Sequence, residues 1–156
     1  MILKKWLSPV YRLVGGATKH RFPFVHEEIE GLGEVFLPLV EAGLWLPETK
    51  TWLDFQFIVD TGATATILPA FIASKLGFDL DVLSEIEMAG VEGTGVKSWR
   101  AKVAMRINGK EFNTRCFFVD NSNAPFLLGR ADVLDKIFTL KVDSKNKEVV
   151  LIENNF

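Results

Sequence analysis

The stretch Phe57-Ile58-Val59-Asp60-Thr61-Gly62-Ala63 sets a carboxylate at the end of an apolar run. Desolvating a carboxylate is costly unless it is paired, hydrogen-bonded or neutralised, so its position needs a physical reason. Just upstream, Leu53, Phe55, Phe57 and Val59 recur at a period of two, which predicts a β-strand that delivers Asp60 at its end. A plain turn would also accept Asp-Thr-Gly, because Asp and Gly are frequent turn residues.

Outward from this strand, the pattern is mostly β. "EVFLPLVEAG" (residues 34–43) reads as a strand, and its Pro38 suggests a sheet edge. "PAFIASKLGF" (residues 69–78) predicts a short helix with Pro69 in its first turn and Gly77 as its stop. "EIEMAGVEGTGVKSWRAKVAMRI" (residues 85–107) predicts two strands joined by a glycine-rich bend at Gly90, Gly93 and Gly95. Asn108-Gly109 is the strongest hairpin signal in the chain, since both residues tolerate positive φ. "FLLGRADVLDKI" (residues 126–137) predicts a strand that stops at Gly129 and turns into a short helix carrying Val133, Leu134 and Ile137. "FTLKVD" and "EVVLIE" close the chain as a hairpin around Ser144–Lys147.

Composition excludes several classes of function. The chain has 156 residues, 48% hydrophobic and 24% charged, which suits one globular domain with a full core. A net charge of −2 gives no electrostatic case for nucleic acid or an anionic membrane. Cys116 is the only cysteine, which excludes an intrachain disulfide, and its apolar setting reads as a small buried hydrophobe. "HEEIE" (residues 26–30) lacks the second histidine of a zinc-protease helix, so neither a metal nor another cofactor is expected. No run reaches the ~18 apolar residues of a membrane span. Ser8, Pro9 and Arg12 interrupt any signal-peptide core, so the expected location is cytoplasmic. Residues 1–25 read as an N-terminal arm without assignable structure, and 26–156 as a single domain.

Two kinds of chemistry would use the carboxylate. Asp60-Thr61-Gly62-Ala63-Thr64 fits the D-x-G-x-T phosphate loop of sugar-kinase and actin-like ATPases, but 156 mainly strand-forming residues are too few for their two α/β domains. Aspartic protease chemistry needs two carboxylates that share one proton: the ionised one takes a proton from water, and the protonated one donates to the scissile carbonyl. One motif per chain then requires two-fold pairing of two copies.

"FIVDTGATATIL" (residues 57–68) followed by "FLLGRADVL" (residues 126–134) resembles the retropepsin-like aspartic proteases, and the single-domain bacterial members more than the retroviral ones. The likeness runs from about Glu34 to Ile152 and is weakest over the N-terminal arm. It implies a mainly β fold: a retropepsin-like β-barrel with one or two short helices and a glycine-rich flap hairpin. It also implies a homodimeric endopeptidase acting on a peptide or protein substrate. Asp60 of each copy would supply half the dyad, Thr61 would bond across the two-fold axis, and Gly62 and Ala63 would keep the turn tight and leave room for substrate. Leu127, Leu128 and Gly129 would pack beneath the loop, with Arg130 completing that support. Gly93, Thr94 and Gly95 would fold over an extended peptide as a flap. Trp99 would either line a subsite or anchor that flap.

The chain departs from the resemblance at two places. Retroviral members carry an acid four positions after the catalytic Asp that pairs with the Arg of the Gly-Arg motif. Thr64 stands there in this sequence, leaving Asp132 or another acid to partner Arg130. The family also implies dimerisation through interleaved terminal strands, for which "EVVLIENNF" (residues 148–156) is the candidate. The rival reading is a retropepsin-fold module that binds peptide or dimerises without cleaving.

Overall fold

Asn108 and Gly109 adopt φ of 44° and 87°, and the strands they join pair from Ile107↔Lys110 to Ser98↔Val119. This hairpin is the longest pairing in a computed structural model that describes residues 16–89, 93 and 95–155. Its elements are β1 (Lys19–Pro23), β2 (Val25–Ile29), β3 (Gly33–Leu37), β4 (Leu39–Leu46), β5 (Thr51–Val59), β6 (Thr66–Pro69), β7 (Glu85–Ala89), β8 (Gly95–Ile107), β9 (Lys110–Val119), β10 (Leu127–Leu128), β11 (Phe138–Asp143) and β12 (Glu148–Glu153).

The main sheet runs β4-β5-β10-β6-β9-β8-β7. Gly43↔Arg106 and Leu44↔Met105 pair β4 back to β8, so β4, β5, β10, β6, β9 and β8 close into a barrel. Closure leaves β7 as an outer strand and removes the edges on which barrel strands would otherwise aggregate. Inside lie Leu44, Phe57, Leu68, Met105, Ile107, Phe118 and Leu128, all fully buried. Each such side chain contributes about 1.5–3 kcal/mol by leaving water. Phe55, Phe57 and Val59 point inward as their period-two spacing predicts, whereas Leu53, opposite the buried Leu44, is 40% exposed.

Several elements differ from the sequence expectation. Pro38 lies within no strand: it separates β3, in a two-stranded sheet with β2, from β4, which is bonded on both sides. The segment after Pro69 forms two single-turn 3-10 pieces, Ala70–Ile72 and Ser74–Leu76, with Gly77 ending them at φ 81°. Ile72, Ala73 and Leu76 are buried, so two short turns serve the packing role expected of one helix. The helical turn after Gly129 is broken at Ala131 (ψ 132°) and Asp132 (φ 67°), and still buries Val133 and Leu134.

Residues 1–15 of the expected arm lie outside the described residues, and within the rest of it Lys19–Pro23 form a regular strand. β1 pairs with β12, and β12 with β11, in a three-stranded sheet. His20 and Phe22 alternate inward, and His20 Nε2 meets Glu153 Oε1 at 2.8 Å. β12 is therefore enclosed between strands of its own chain and has no free edge with which to interleave. Among the described residues no helix is long and apolar enough to cross a membrane.

Candidate active site

β5 and β10 run parallel, Ile58 beside Leu127 and Val59 beside Leu128, and β6 returns antiparallel with Ile67 beside Leu127. The Asp60 loop is therefore the connection between two strands that flank β10. Asp60 N–H donates to Leu128 O at 3.1 Å, and its Oδ1 accepts from Gly62 N–H (2.8 Å) and Ala63 N–H (3.2 Å). The side chain makes the tight turn, as the plain reading of Asp-Thr-Gly required, and spends one oxygen on it. Among the described residues no donor reaches Oδ2, and the residue is only half-buried. Thr61 and Gly62 are exposed beside it and Ala63 is half-buried.

The segment after β10 holds this loop from behind. Gly129 N–H donates to the buried Thr66 Oγ1 at 3.2 Å, Arg130 N–H to Ala63 O at 3.0 Å, and Ala131 N–H to Thr64 O at 2.7 Å. A Cβ on Gly129 would overlap the carbonyl of Ala65, so only glycine lets the two backbones approach this closely. Leu128 is fully buried and Leu127 partly so, which makes them core beneath the loop. Phe126 stacks on Phe55 (4.6 Å between centroids) and meets Phe57 edge-on (5.5 Å), while its carbonyl accepts from Ile58 N–H at 2.9 Å.

The polypeptide between β9 and β10 links this loop to the β7–β8 hairpin. Asp120 N–H donates to Lys97 O at 2.9 Å, at one end of a segment whose other end, Phe126, is fastened to β5. Trp99 pairs with Glu85 and Phe118 in register, is 9% exposed and lies beneath Lys97 (5.0 Å), so it anchors the base of the hairpin. Gly93 has φ 74°, and Gly95 begins β8 against the side chain of Glu87. Gly90 and Thr94 lie outside the described residues.

Arg130 pairs with Asp135 (Nε–Oδ2 3.2 Å), not with Asp132. Asp132 is taken by Arg115 of β9: Oδ2 accepts from Arg115 Nε (2.6 Å) and N–H (3.1 Å), and Oδ1 from a guanidinium nitrogen (2.9 Å). The Arg115 hydrogen bonds hold the Asp132 carboxyl below its usual range against the opposing effect of burial, and reciprocally raise Arg115. Cys116, the next residue on β9, is fully buried, which pushes its thiol up and leaves it inert packing. Thr66 and the Arg115–Asp132 pair were not singled out as site residues from sequence. Only Thr66 carries a local signal, a hydroxyl within the otherwise apolar "ATIL". Among the described residues no three metal-ligating side chains converge.

This geometry has counterparts among known proteins. Residues 53–135, more than half the chain, match the profile of the gag-polyprotein putative aspartyl protease family. The fold is similar to the crystal structure of a retropepsin-like aspartic protease from Rickettsia conorii, at 22% identity and a TM-score of 0.57 over 90% of this chain and 97% of that one. It is also similar to the retroviral protease-like domain of Ddi1 from Leishmania major, at 13% identity and a TM-score of 0.54 over 76% of this chain and 94% of that one. No curated protein matches the sequence significantly. A retropepsin-like barrel, with an Asp-Thr-Gly turn braced from behind by Leu-Leu-Gly, thus places this chain in the gag-polyprotein putative aspartyl protease family.

Proposed function

We propose that the protein is an aspartic endopeptidase whose site is completed by a second copy of the chain, with water activated between the two Asp60 carboxylates. The observation that carries this is the division of labour on Asp60: Oδ1 holds the turn through Gly62 and Ala63, and Oδ2 is left unpartnered among the described residues. A carboxylate needed only for the turn would be saturated or fully solvated. This one is half-buried, at the mouth of a barrel, on a loop fixed from behind.

Brought to within hydrogen-bonding distance of its twin, Asp60 could not ionise in both copies at once, so the pair would hold one shared proton. The ionised member removes a proton from the attacking water, while the protonated one donates to the carbonyl oxygen of the scissile bond. Thr61, exposed beside Asp60, bonds across the two-fold axis, and the small Gly62 and Ala63 leave room for substrate. Leu127, Leu128, Gly129 and Arg130 support the loop, the last through its backbone N–H. The Gly93–Gly95 bend lies over an extended peptide. Residues 26–156 act as one catalytic domain, which β1 extends. Because β12 is enclosed in its own chain, the two copies meet without interleaving it; the outer edges of β1 and β11 are the edges that its sheet leaves for contact.

The test is cleavage of a mixed peptide library between about pH 4 and 7 by wild type and Asp60→Asn, alongside solution mass. The expected result is a dimer whose cleavage is lost in Asp60→Asn, with a rate loss of about 10²–10⁴-fold or more. Cleavage unchanged by the substitution removes Asp60 from the mechanism. An active, strictly monomeric protein overturns the shared pair, and a folded dimer that cleaves nothing favours the peptide-binding module.

A further inference from the structure

We infer that Arg115 and Asp132 form the clamp that positions the Asp60 loop, a positioning role for two residues that rests on the protease reading of Asp60. The loop itself has no acid at residue 64 to tie it to the segment after β10, because Thr64 is there. That segment nevertheless holds the loop, through Arg130 N–H to Ala63 O and Ala131 N–H to Thr64 O. The two amides stand directly before a break in the helical turn at Ala131 and Asp132.

The break has a cost. Asp132 sits at φ 67°, a left-handed conformation disfavoured for residues with a Cβ, though aspartate tolerates it better than most. Its carboxylate contacts support it there. Three donors of Arg115, two from the guanidinium and one from the backbone, fix both oxygens to β9. A planar guanidinium fork defines direction as well as distance, which a single lysine contact would not. Mechanical continuity thus runs from β9 through Asp132 to the amides of Ala131 and Arg130, then to the carbonyls of Thr64 and Ala63, and so to Asp60.

The neighbouring pair makes a useful contrast. Arg130 and Asp135 share one side-chain contact, both side chains are 54% exposed, and they lie within the same turn, so this pair of side chains ties nothing to β9 or to the loop. Asp132, by comparison, is 16% exposed. The charged and titratable groups around it are Arg115 and the buried Cys116 thiol on β9, and Lys136 on its own turn. With Arg115 as the dominant partner, the clamp remains ionised into the acid range, where a dyad that shares one proton is expected to work.

The experiment compares wild type, Asp132→Asn, Arg115→Gln and Arg115→Lys, with Asp135→Asn as control, by steady-state cleavage of the peptide library's best substrate and by amide hydrogen exchange. We expect kcat to fall about tenfold in Asp132→Asn and Arg115→Gln with KM within about twofold, and the Arg130 and Ala131 amides to exchange at least tenfold faster. Arg115→Lys should recover part of the loss, and Asp135→Asn should behave as wild type. Folded variants with unchanged exchange at those two amides overturn the clamp. Faster exchange with unaltered kcat overturns its positioning role. Should Asp132→Asn fail to fold, the exposed Arg115 substitutions decide the question alone. If wild type cleaves nothing, the protease reading fails and exchange still judges the clamp: tenfold acceleration sustains it, and none overturns it.

Discussion

Asp60 and Asp132 each stand in a turn just after a strand that ends in the barrel, and the structure treats them oppositely. Asp132 has both oxygens bound, by an arginine fork and a backbone N–H from β9. Asp60 has one oxygen bound, by the amides of its own turn. A carboxylate with both oxygens bound is a fixture, whereas one with an oxygen that no protein donor occupies is available to a proton, a water or a second carboxylate. Identical side chains thus differ in role through the number of donors aimed at them.

The largest expected effect separates the two residues by activity. Asp60→Asn keeps the oxygen that accepts from Gly62 and Ala63, so thermal stability should stay within about 0.5 kcal/mol while peptide cleavage drops by about 10²–10⁴-fold. Calorimetry and a peptide assay on the same preparation check both halves. A variant that unfolds would instead make Asp60 the fixture.

Gly129→Ala attacks the brace the two turns share. The new methyl group meets the Ala65 carbonyl, and the strain should cost about 1–3 kcal/mol, read as a lower urea midpoint with unchanged slope. Asp132→Asn should lower Tm by less than Gly129→Ala, and the difference from wild type should depend on pH. The folded pKa of Asp132 is depressed, so its contribution is complete above the unfolded value of about 3.9 and is lost as pH falls through the lower folded value. Melting curves between about pH 2 and 7 should therefore converge at the acid end.

The smallest effect is expected at Asp143, a third turn aspartate. Its bonds to Lys141 and then to Asn146 draw its carboxyl down to about 2, and all of these partners lie within the β11–β12 turn region. Asp143→Asn should leave Tm at pH 7 nearly unchanged, and any difference should vanish as pH falls from about 4 toward 2. A large loss would mean that the β11–β12 turn carries more of the fold than so local a set of bonds suggests.

Features set by local chemistry were legible in the amino-acid order. Asn108-Gly109 announced its hairpin through tolerance of positive φ, the Ser144–Lys147 turn announced another, and Phe55, Phe57 and Val59 announced the inner face of β5 by spacing. Asp60-Thr61-Gly62 and Leu127-Leu128-Gly129 were legible because a strand-end carboxylate and a glycine in an apolar run are both out of place without a reason. Features that need a distant partner were not. β1 offers only His20 and Phe22 as inward residues before Pro23, too short a pattern to read, and it is a strand because β12 lies beside it. The partner of Arg130, open in sequence between Asp132 and another acid, is Asp135, because the guanidinium that reaches Asp132 comes from β9.

The sequence by itself therefore determined most of the barrel strands, the hairpin turns and one out-of-place residue in each of two motifs, the Asp60 carboxylate and Gly129, since propensity and periodicity act over a few residues. Only the tertiary structure decided that β4 closes onto β8, that β12 is enclosed within its own chain, and which aspartate is saturated and which is left open. Those outcomes depend on which backbone and side-chain donors arrive from elsewhere in the chain, and long-range pairing is settled by the whole barrel closing at once.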